Sequence, residues 1–336
     1  MVQAPEITLR PYAPADAPHV VALVNADAGH RIAARRAVLD GAGHVRLVRY
    51  VSPSSAKVVA VDERGALMGY SYVSVGDHGI VSETGGAVHP DHWGRGIGTR
   101  LLAWAEQRAR AGSAGAPAGV KTVLQANVFE AQHNAIRLLT RQRFARVREW
   151  AHLELQLAAP PPAPRLPPGI TIRPMDLDQD WDLVGPAMDR AFADHWGTIT
   201  LPLAPLPDVT DPAPEEAQDH SYSNTPGACF VAWAADAVAG GILCNTRLVE
   251  RADTGRVGSL FVGPDYRRRG VGQALMGTAF QEFWRRGLRR IITDTDAESF
   301  SDTPRFYAQL GMRLYRREYL YEKELNPGTD VRRLER

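Results

Sequence analysis

An internal repeat constrains the fold of this 336-residue chain more than any other feature. The stretch Ile-Thr-Leu-Arg-Pro at 7–11 recurs as Ile-Thr-Ile-Arg-Pro at 170–174. A glycine loop around Gly96 recurs around Gly270, and a closing Arg-Glu-aromatic segment occurs at 148–150 and again at 317–319. Because the matching segments keep the same order, the repeat predicts two copies of one domain.

A proline-rich segment at 158–169 separates the two copies. Its six prolines force extended backbone and remove hydrogen-bond donors, which is typical of a stiff linker. The length of the chain also fits two domains of ordinary size. We therefore predict an N-terminal domain over residues 1–160 and a C-terminal domain over residues 161–336.

Each copy alternates short apolar stretches of strand type with amphipathic helical stretches. In the first copy, 81–88 reads as a strand and 99–111 as the following helix. The second copy repeats this order, and it adds a polar, proline-rich excursion at 198–225 that the first copy lacks. Strands with helices between them predict a mixed-sheet α/β domain for each copy.

The glycine loop of the second copy joins a strand to a helix, through a Pro-Asp turn and three arginines. Gly270 and Gly272 let the backbone approach a ligand closely, so that successive N–H groups can converge on one anion. The N-terminus of the helix adds positive charge, and the arginines can reach phosphate oxygens. The loop therefore predicts a diphosphate ligand.

The pattern Arg267-x-x-Gly270-x-Gly272, after a strand and before a helix, resembles the acyl-CoA signature of the GNAT superfamily of N-acetyltransferases. The resemblance covers nearly the whole chain as two GNAT-like domains, and it implies acetyl-CoA as the acyl donor and a pseudo-dimeric arrangement of the domains. The residues that it implies for acetyl-CoA binding in the second copy are Leu260, Phe261, Val262, Arg267, Arg268, Arg269, Gly270, Val271, Gly272, Gln273 and Ala274. In the first copy they are Ala87, Val88, Gly94, Arg95, Gly96, Ile97, Gly98 and Thr99.

The segment at 304–312, Pro-Arg-Phe-Tyr-Ala-Gln-Leu-Gly-Met, resembles the family segment in which a tyrosine protonates the departing CoA thiolate. This implies Tyr307 as the general acid; the alternative is a tyrosine that packs one face of a helix. The first copy has Leu139 and Arg143 where the second has Tyr307 and Gly311. We expect catalysis in the second copy and a first copy that either binds CoA or is structural.

No residue stands out as the general base. The family often carries a glutamate early in the strand that leads to the loop, a position that falls at Arg256 in the second copy and at Ser82 in the first. Glu83 lies one residue away, and a shift of one residue turns a side chain to the other face of a strand. An ordered water or Asp294 remains a candidate base for the second copy.

The tripeptide Asp194-His195-Trp196 follows the first helix of the second copy, where GNAT enzymes build the acceptor pocket. A carboxylate, an imidazole and an aromatic ring could together bind a cationic amine, and Asp194 or His195 could also act as the base. The alternative is a helix C-terminus with the imidazole near the dipole and the indole in the core.

Composition excludes several classes of protein. A net charge of +1 gives no attraction to nucleic acid or membranes, and the arginine cluster at 285–290 suits a solvated helix end. Two cysteines form no metal-binding pattern, and no targeting or membrane-spanning segment is evident, which favours a cytoplasmic protein without a metal. We expect a monomer that acetylates a small-molecule amine. A protein or peptide acceptor and a non-catalytic acyl-CoA-binding regulator are the alternatives.

Overall fold

A computed structural model describes residues 7–29, 38–39, 45–46, 55–201, 224–248, 253–299 and 302–334. The chain divides into two compact units. Unit 1 comprises Met1–Glu149, Leu201–Ala217 and Arg316–Val331, and unit 2 comprises Trp150–Thr200, Gln218–Tyr315 and Arg332–Arg336. Most of the predicted excursion at 198–225 lies outside the described residues.

The first repeat contains three helices and eight strands within the described residues. In chain order they are β1 (Thr8–Pro11), α1 (Ala17–Gly29), β2 (Val38–Leu39), β3 (Val45–Arg46), β4 (Ala56–Val61), β5 (Leu67–Val75), β6 (Val81–Val88), α2 (Ile97–Gly112), β7 (Thr122–Phe129), α3 (His133–Arg141) and β8 (Ala145–Gln156).

The second repeat follows the same order, except that β2 and β3 have no counterpart among its described residues. Its elements are β9 (Ile170–Pro174), α4 (Trp181–Phe192), β10 (Phe230–Ala234), β11 (Ala237–Asn245), β12 (Thr254–Val262), α5 (Val271–Arg285), β13 (Arg290–Asp296), α6 (Thr303–Gln309) and β14 (Arg313–Asn326).

Each unit is built on a mixed sheet. The strand order is β1-β4-β5-β6-β7-β14 in unit 1 and β8-β13-β12-β11-β10-β9 in unit 2. The pairs β6–β7 and β12–β13 are parallel, whereas the pairs that flank them are antiparallel. Helices pack on these sheets, so the predicted α/β fold of both copies is confirmed.

The closing strands of the two repeats are exchanged. Residues 150–156 of β8 pair with β13 and belong to unit 2. Residues 318–326 of β14 pair with β7 and belong to unit 1. The division at residue 160 therefore describes the linear repeat, and the compact units differ from it because each repeat gives its last strand to the other unit.

The repeated Ile-Thr-x-Arg-Pro motif ties the first strand of each unit to its first helix. Arg10 donates two hydrogen bonds of 2.7 Å to Asp16, and Arg173 donates bonds of 2.8 and 2.7 Å to Asp180. These bonds outweigh the effect of burial and lower the pKa of both carboxyl groups. The motif is thus a structural element of the fold.

The core of unit 2 lies on both faces of its sheet. The buried side chains of α5 recur at helical spacing and include Leu275, Ala279 and Phe283, which face the strands. On α4, Val184 and Ala191 are buried in the same cluster. Within the described parts of the chain, no helix is long and apolar enough to cross a membrane.

Candidate active site

The loop between β12 and α5 has the geometry of an anion-binding site. Gly270 precedes the helix with φ of 88°, in the left-handed region that favours glycine. The first backbone bond of the helix runs from Ala274 N–H to the Gly270 carbonyl, at 3.0 Å. The N–H groups of residues 271–273 precede that bond, so the helix itself offers them no acceptor. They project from its positive end, where an anion can bind.

The loop of unit 1 has the same backbone conformation. Gly96 precedes α2 with φ of 80°, and Arg100 N–H bonds the Gly96 carbonyl at 3.1 Å. Gly94 has φ of 78°, and its counterpart in unit 2 is Arg268, with φ of 62°. A non-glycine residue in this region carries strain of order 1 kcal/mol, and such strain is concentrated at functional sites.

Arg267 bonds protein groups within unit 2. Its Nη1 lies 2.6 Å from Asp194 Oδ2, and its Nη2 donates to the Ala191 carbonyl at 2.8 Å. Burial alone would raise the pKa of Asp194, but the hydrogen bond and the charge of Arg267 outweigh it and hold that pKa below its ordinary value. Arg267 therefore fastens the loop to the end of α4.

The predicted trio Asp194, His195 and Trp196 lies immediately after α4. His195 Nδ1 is 3.1 Å from Asp194 Oδ1, so this carboxylate bridges the imidazole and Arg267. The imidazole packs edge-on against Phe192, with ring centroids 4.9 Å apart. All three predicted side chains are partly exposed, which leaves them accessible to a substrate.

The central strand of unit 2 carries a β-bulge. Leu243 of β11 pairs with Ser259, but the next residue, Cys244, pairs with Val257, so Gly258 is an extra residue in β12. A bulge leaves such a residue outside the ladder, and its backbone N–H can then serve as an oxyanion donor. In unit 1 the pairing of β5 with β6 is regular throughout.

The two parallel strands of unit 2 separate beside this bulge. Their pairing begins at Thr254 and ends at Arg256 and Ile292, although both strands continue. In unit 1 the pairing of β6 with β7 runs on to Thr84 and Ala126. The parallel pairing of unit 2 therefore ends about two residues earlier than that of unit 1, which leaves a longer opening between the two strands of unit 2.

Tyr307 on α6 reaches this opening. Its side chain is 6% exposed and lies near Thr293 of β13, whose hydroxyl donates to the Val257 carbonyl at 3.1 Å. Burial, with a smaller contribution from the charge of Asp294, raises the pKa of Tyr307 to about 12. The phenol is thus a proton donor at neutral pH and lies close to the bulged strand.

Helix α3 of unit 1 is the equivalent of α6 and ends in the same way, but it carries leucine in place of the tyrosine. Leu139 is buried in the core, and the N–H of Phe144 bonds its carbonyl at 3.0 Å, as the N–H of Met312 bonds that of Tyr307 at 3.1 Å. Arg143 takes the left-handed conformation that glycine takes in unit 2. Unit 1 therefore offers no proton donor at this place.

The candidate bases occupy different environments. Asp294 Oδ1 lies 2.7 Å from Arg256 Nη2. A side chain on Gly255 would meet Phe283 of α5, so Arg256, next along the strand, points to the opposite face. In unit 1, Glu83 is exposed between two buried residues of β6.

The other predicted acetyl-CoA residues lie on the strands and loops described above. Buried side chains, which leave mainly their backbone groups for a ligand, are Ala87, Ile97, Phe261, Val271 and Ala274. Partly exposed residues are Val88, Gly98, Leu260, Val262 and Gly272. Exposed residues are Gly94, Arg95, Gly96, Thr99, Arg268, Arg269, Gly270 and Gln273.

Two residues of the site were not predicted from the sequence. Gly258 forms the bulge, and its signal was available, because an isolated glycine inside a strand often marks one. Thr293, which lies near Tyr307, has no sequence signal of its own within the short strand β13. No group of three potential metal ligands comes together among the described residues.

Two segments of the chain match one family model, the Acetyltransferase (GNAT) family, at residues 35–144 and 195–312. Together they cover more than half of the sequence. The chain belongs to the GNAT family. It is a tandem GNAT N-acetyltransferase, and the family uses acetyl-CoA as the acyl donor.

Several curated GNAT relatives resemble this chain. A mycothiol acetyltransferase of Frankia casuarinae is 38% identical over 136 residues, which cover 39% of this chain and 36% of the relative. The mycothiol acetyltransferase of Thermobispora bispora is 26% identical over 279 residues, with 82% and 86% of the two chains covered. Among solved structures, a GCN5-related N-acetyltransferase of Sphaerobacter thermophilus is 26% identical, with a TM-score of 0.74 over 97% of this chain and 98% of its own.

Proposed function

We propose that unit 2 transfers the acetyl group of acetyl-CoA to a primary amine of a small molecule. The observation that carries this proposal is the buried hydroxyl of Tyr307, which lies where β12 and β13 separate, beside the bulge at Gly258. The anion-binding loop lies at the end of the same strand, where it would bind the diphosphate of acyl-CoA.

The residues of unit 2 divide the chemistry among them. The N–H groups of residues 271–273 would bind the diphosphate, and the backbone of β12 at Gly258 would donate to the thioester oxygen as negative charge develops there. The amine nitrogen bonds the acetyl carbon and loses a proton, and the carbon–sulfur bond breaks. Tyr307 then protonates the departing thiolate.

The acceptor would approach from the α4 face of the sheet. Arg256 and Asp294 are paired on that side of the opening, and the Asp194–His195 pair follows α4. Each of these carboxylates is paired with an arginine and can accept a hydrogen bond from the amine, and His195 can accept its proton. Support for a small acceptor comes from the relatives, whose names specify mycothiol rather than a protein.

Unit 1 would bind acyl-CoA without rapid turnover or would serve a structural role. It retains the loop glycines, but it has a regular β6, longer pairing between β6 and β7, and Leu139 in place of the tyrosine. Acetyl transfer needs an oxyanion donor and a proton donor, and these differences remove both from unit 1. We assign catalysis to unit 2 for this reason.

The test is a thiol-release assay with acetyl-CoA and a panel of acceptors that includes amino sugars, amino acids, aminoacyl amides and peptides. The proposal predicts turnover with one class of small primary amine, confirmed by a mass increase of one acetyl group on the amine. Turnover with peptides alone would establish a protein acceptor. Tight acetyl-CoA binding without turnover on any amine would indicate a regulator.

A further inference from the structure

The linker between the repeats lies against α5 in a regular pattern. Pro161, Pro164 and Pro167 are partly buried, whereas the residues between them are exposed. A burial period of three residues is the period of a polyproline II helix, which is the conformation that a proline-rich segment favours. We call residues 160–168 the docked linker.

Two of these prolines pack against glycines of unit 2. A Cβ on Gly277, in the middle of α5, would lie 3.0 Å from Pro164 Cβ, and a Cβ on Gly270 would lie 3.7 Å from Pro167 Cγ. The glycines are two helical turns apart, roughly 10 Å, and the prolines are one polyproline turn apart, roughly 9 Å. Glycine inside a helix is less favourable than alanine, and the close approach of the linker explains its presence at 277.

This docking brings an arginine close to the anion-binding loop. Arg165 is exposed and lies two residues before Pro167, or roughly 6 Å along a polyproline helix. Its long side chain therefore starts near the N-terminus of α5. Two arginines of the loop are directed elsewhere, because Arg267 bonds Asp194 and the guanidinium of Arg269 lies 5.7 Å from the ring centroid of Tyr266.

We propose that the docked linker is part of the acyl-CoA site and that Arg165 contacts a phosphate of the ligand. The proposal rests on the proposed function, since it requires acyl-CoA to bind the loop of unit 2. It makes the linker a ligand-binding element of unit 2 in addition to a connection between repeats. An arginine suits this role because its guanidinium donates several hydrogen bonds to phosphate oxygens.

The first test measures the Kd of CoA and of 3′-dephospho-CoA by calorimetry for the full chain and for Arg165→Gln. We expect the variant to bind CoA about tenfold more weakly, which is the size of one charge-assisted hydrogen bond. An equal loss for both ligands would place Arg165 on the diphosphate, and a loss for CoA alone would place it on the 3′-phosphate. Arg108→Gln, an exposed arginine on α2, is the control and should leave both Kd values unchanged.

The second test displaces the linker. Gly277→Leu inserts a side chain where Pro164 packs, so it should weaken CoA binding to a similar extent while circular dichroism shows an intact fold. If Arg165 acts through the docked linker, the double variant should bind CoA no more weakly than either single variant. Additive losses would contradict this coupling.

The outcomes separate this proposal from the proposed function. If the parent protein binds neither ligand, the acyl-CoA site itself fails. If the parent binds CoA and Arg165→Gln binds both ligands with unchanged Kd, the acyl-CoA site stands and the role of Arg165 is refuted.

Discussion

At the scale of single residues, the two halves of this protein differ most at one position on their last helices. Tyr307→Phe should lower kcat by roughly 10²–10⁴-fold, because a proton donor is lost, and it should leave the Kd of acetyl-CoA nearly unchanged. The matched change in unit 1, Leu139→Ala, should cost about 2–4 kcal/mol of stability and spare kcat. Steady-state kinetics and thermal melts of both variants measure this, and equal kcat in Tyr307→Phe and the parent would exclude the tyrosine as the acid.

The raised pKa of Tyr307 also predicts a pH dependence of stability. An unfolded tyrosine ionises near pH 10, whereas the folded pKa is about 12. Protonation in the folded state therefore contributes stability that is fully present below about pH 10 and is lost as the pH rises toward 12. Relative to Tyr307→Phe, the parent should lose roughly 1 kcal/mol by pH 11. A constant difference between the two unfolding free energies from pH 8 to 11 would show that the phenol is not buried.

Sequence analysis singled out residues of the two glycine loops, of α6 and of the end of α4, but it did not predict how all of them pair. Gly270 takes the predicted left-handed conformation, whereas Gly272 lies within α5 with ordinary helical backbone. The Tyr307 segment forms a helix. Arg267 and Asp194, which are 73 residues apart, were each interpreted as ligand-binding groups, and the structure pairs them. A pair so distant in sequence depends on the tertiary fold, which no local pattern encodes.

At the scale of elements, the Arg267–Asp194 bridge connects the anion-binding loop to the end of α4. Asp194→Asn should lower the unfolding free energy by about 1–2 kcal/mol, since it weakens a charge-assisted hydrogen bond. It should also weaken acetyl-CoA binding, because the loop loses its anchor. The lowered pKa of Asp194 means that this stabilisation is present above the unfolded pKa, near 4, and is lost as the pH falls through the folded value.

The pH profile of the Asp194→Asn variant supplies the control. The difference in melting temperature from the parent should be constant near neutral pH and should shrink as the pH is lowered below about 4. A difference that persists undiminished in acid would show that the loss comes from packing and not from the charge pair.

The positions of helices and strands could be predicted from the sequence, but the register in which the strands pair could not. Strand β6 has the bounds that its pattern predicts, and helix α2 extends the predicted range of 99–111 by two residues at its start and one at its end, because apolar spacing and turn residues fix both elements locally. The end of the parallel pairing depends on the neighbouring strand and became visible only in the sheet. An isolated glycine inside a strand is a signal of a bulge, but the register of the bulge at Gly258 is set by its pairing with β11. The bulge and the early end of the parallel pairing distinguish unit 2 from unit 1.

At the scale of the whole molecule, exchange of the closing strands changes where the chain can be divided. Residues 150–156 pair with seven residues of β13, so a fragment of residues 161–336 lacks an edge strand of unit 2. We expect that fragment to aggregate because it leaves the edge of β13 without its partner strand. A fragment of residues 150–336 should be more soluble and should melt at a higher temperature. Equal behaviour of the two fragments in sedimentation and thermal melts would contradict the importance of this strand.

The sequence could not reveal the exchange, because the closing segments of the two repeats match each other. Arg148-Glu149-Trp150 and Arg317-Glu318-Tyr319 suit either sheet by their pattern alone. Their assignment depends on pairing partners that are far away in the sequence. The order of elements in the repeat could therefore be predicted, but the unit to which each closing strand belongs could not.

Catalysis in unit 2 is tested most directly by one matched pair of variants. Gly270→Val and Gly96→Val place the same side chain at equivalent left-handed positions, with φ of 88° and 80°, so both incur similar backbone strain. The measurement is acetyl-CoA-dependent thiol release with the best acceptor amine, alongside CoA binding by calorimetry. The account predicts that Gly270→Val abolishes turnover and that Gly96→Val retains most of it. Turnover that is lost in Gly96→Val and retained in Gly270→Val would contradict the account and would move catalysis to unit 1, with Glu83 as the base to test.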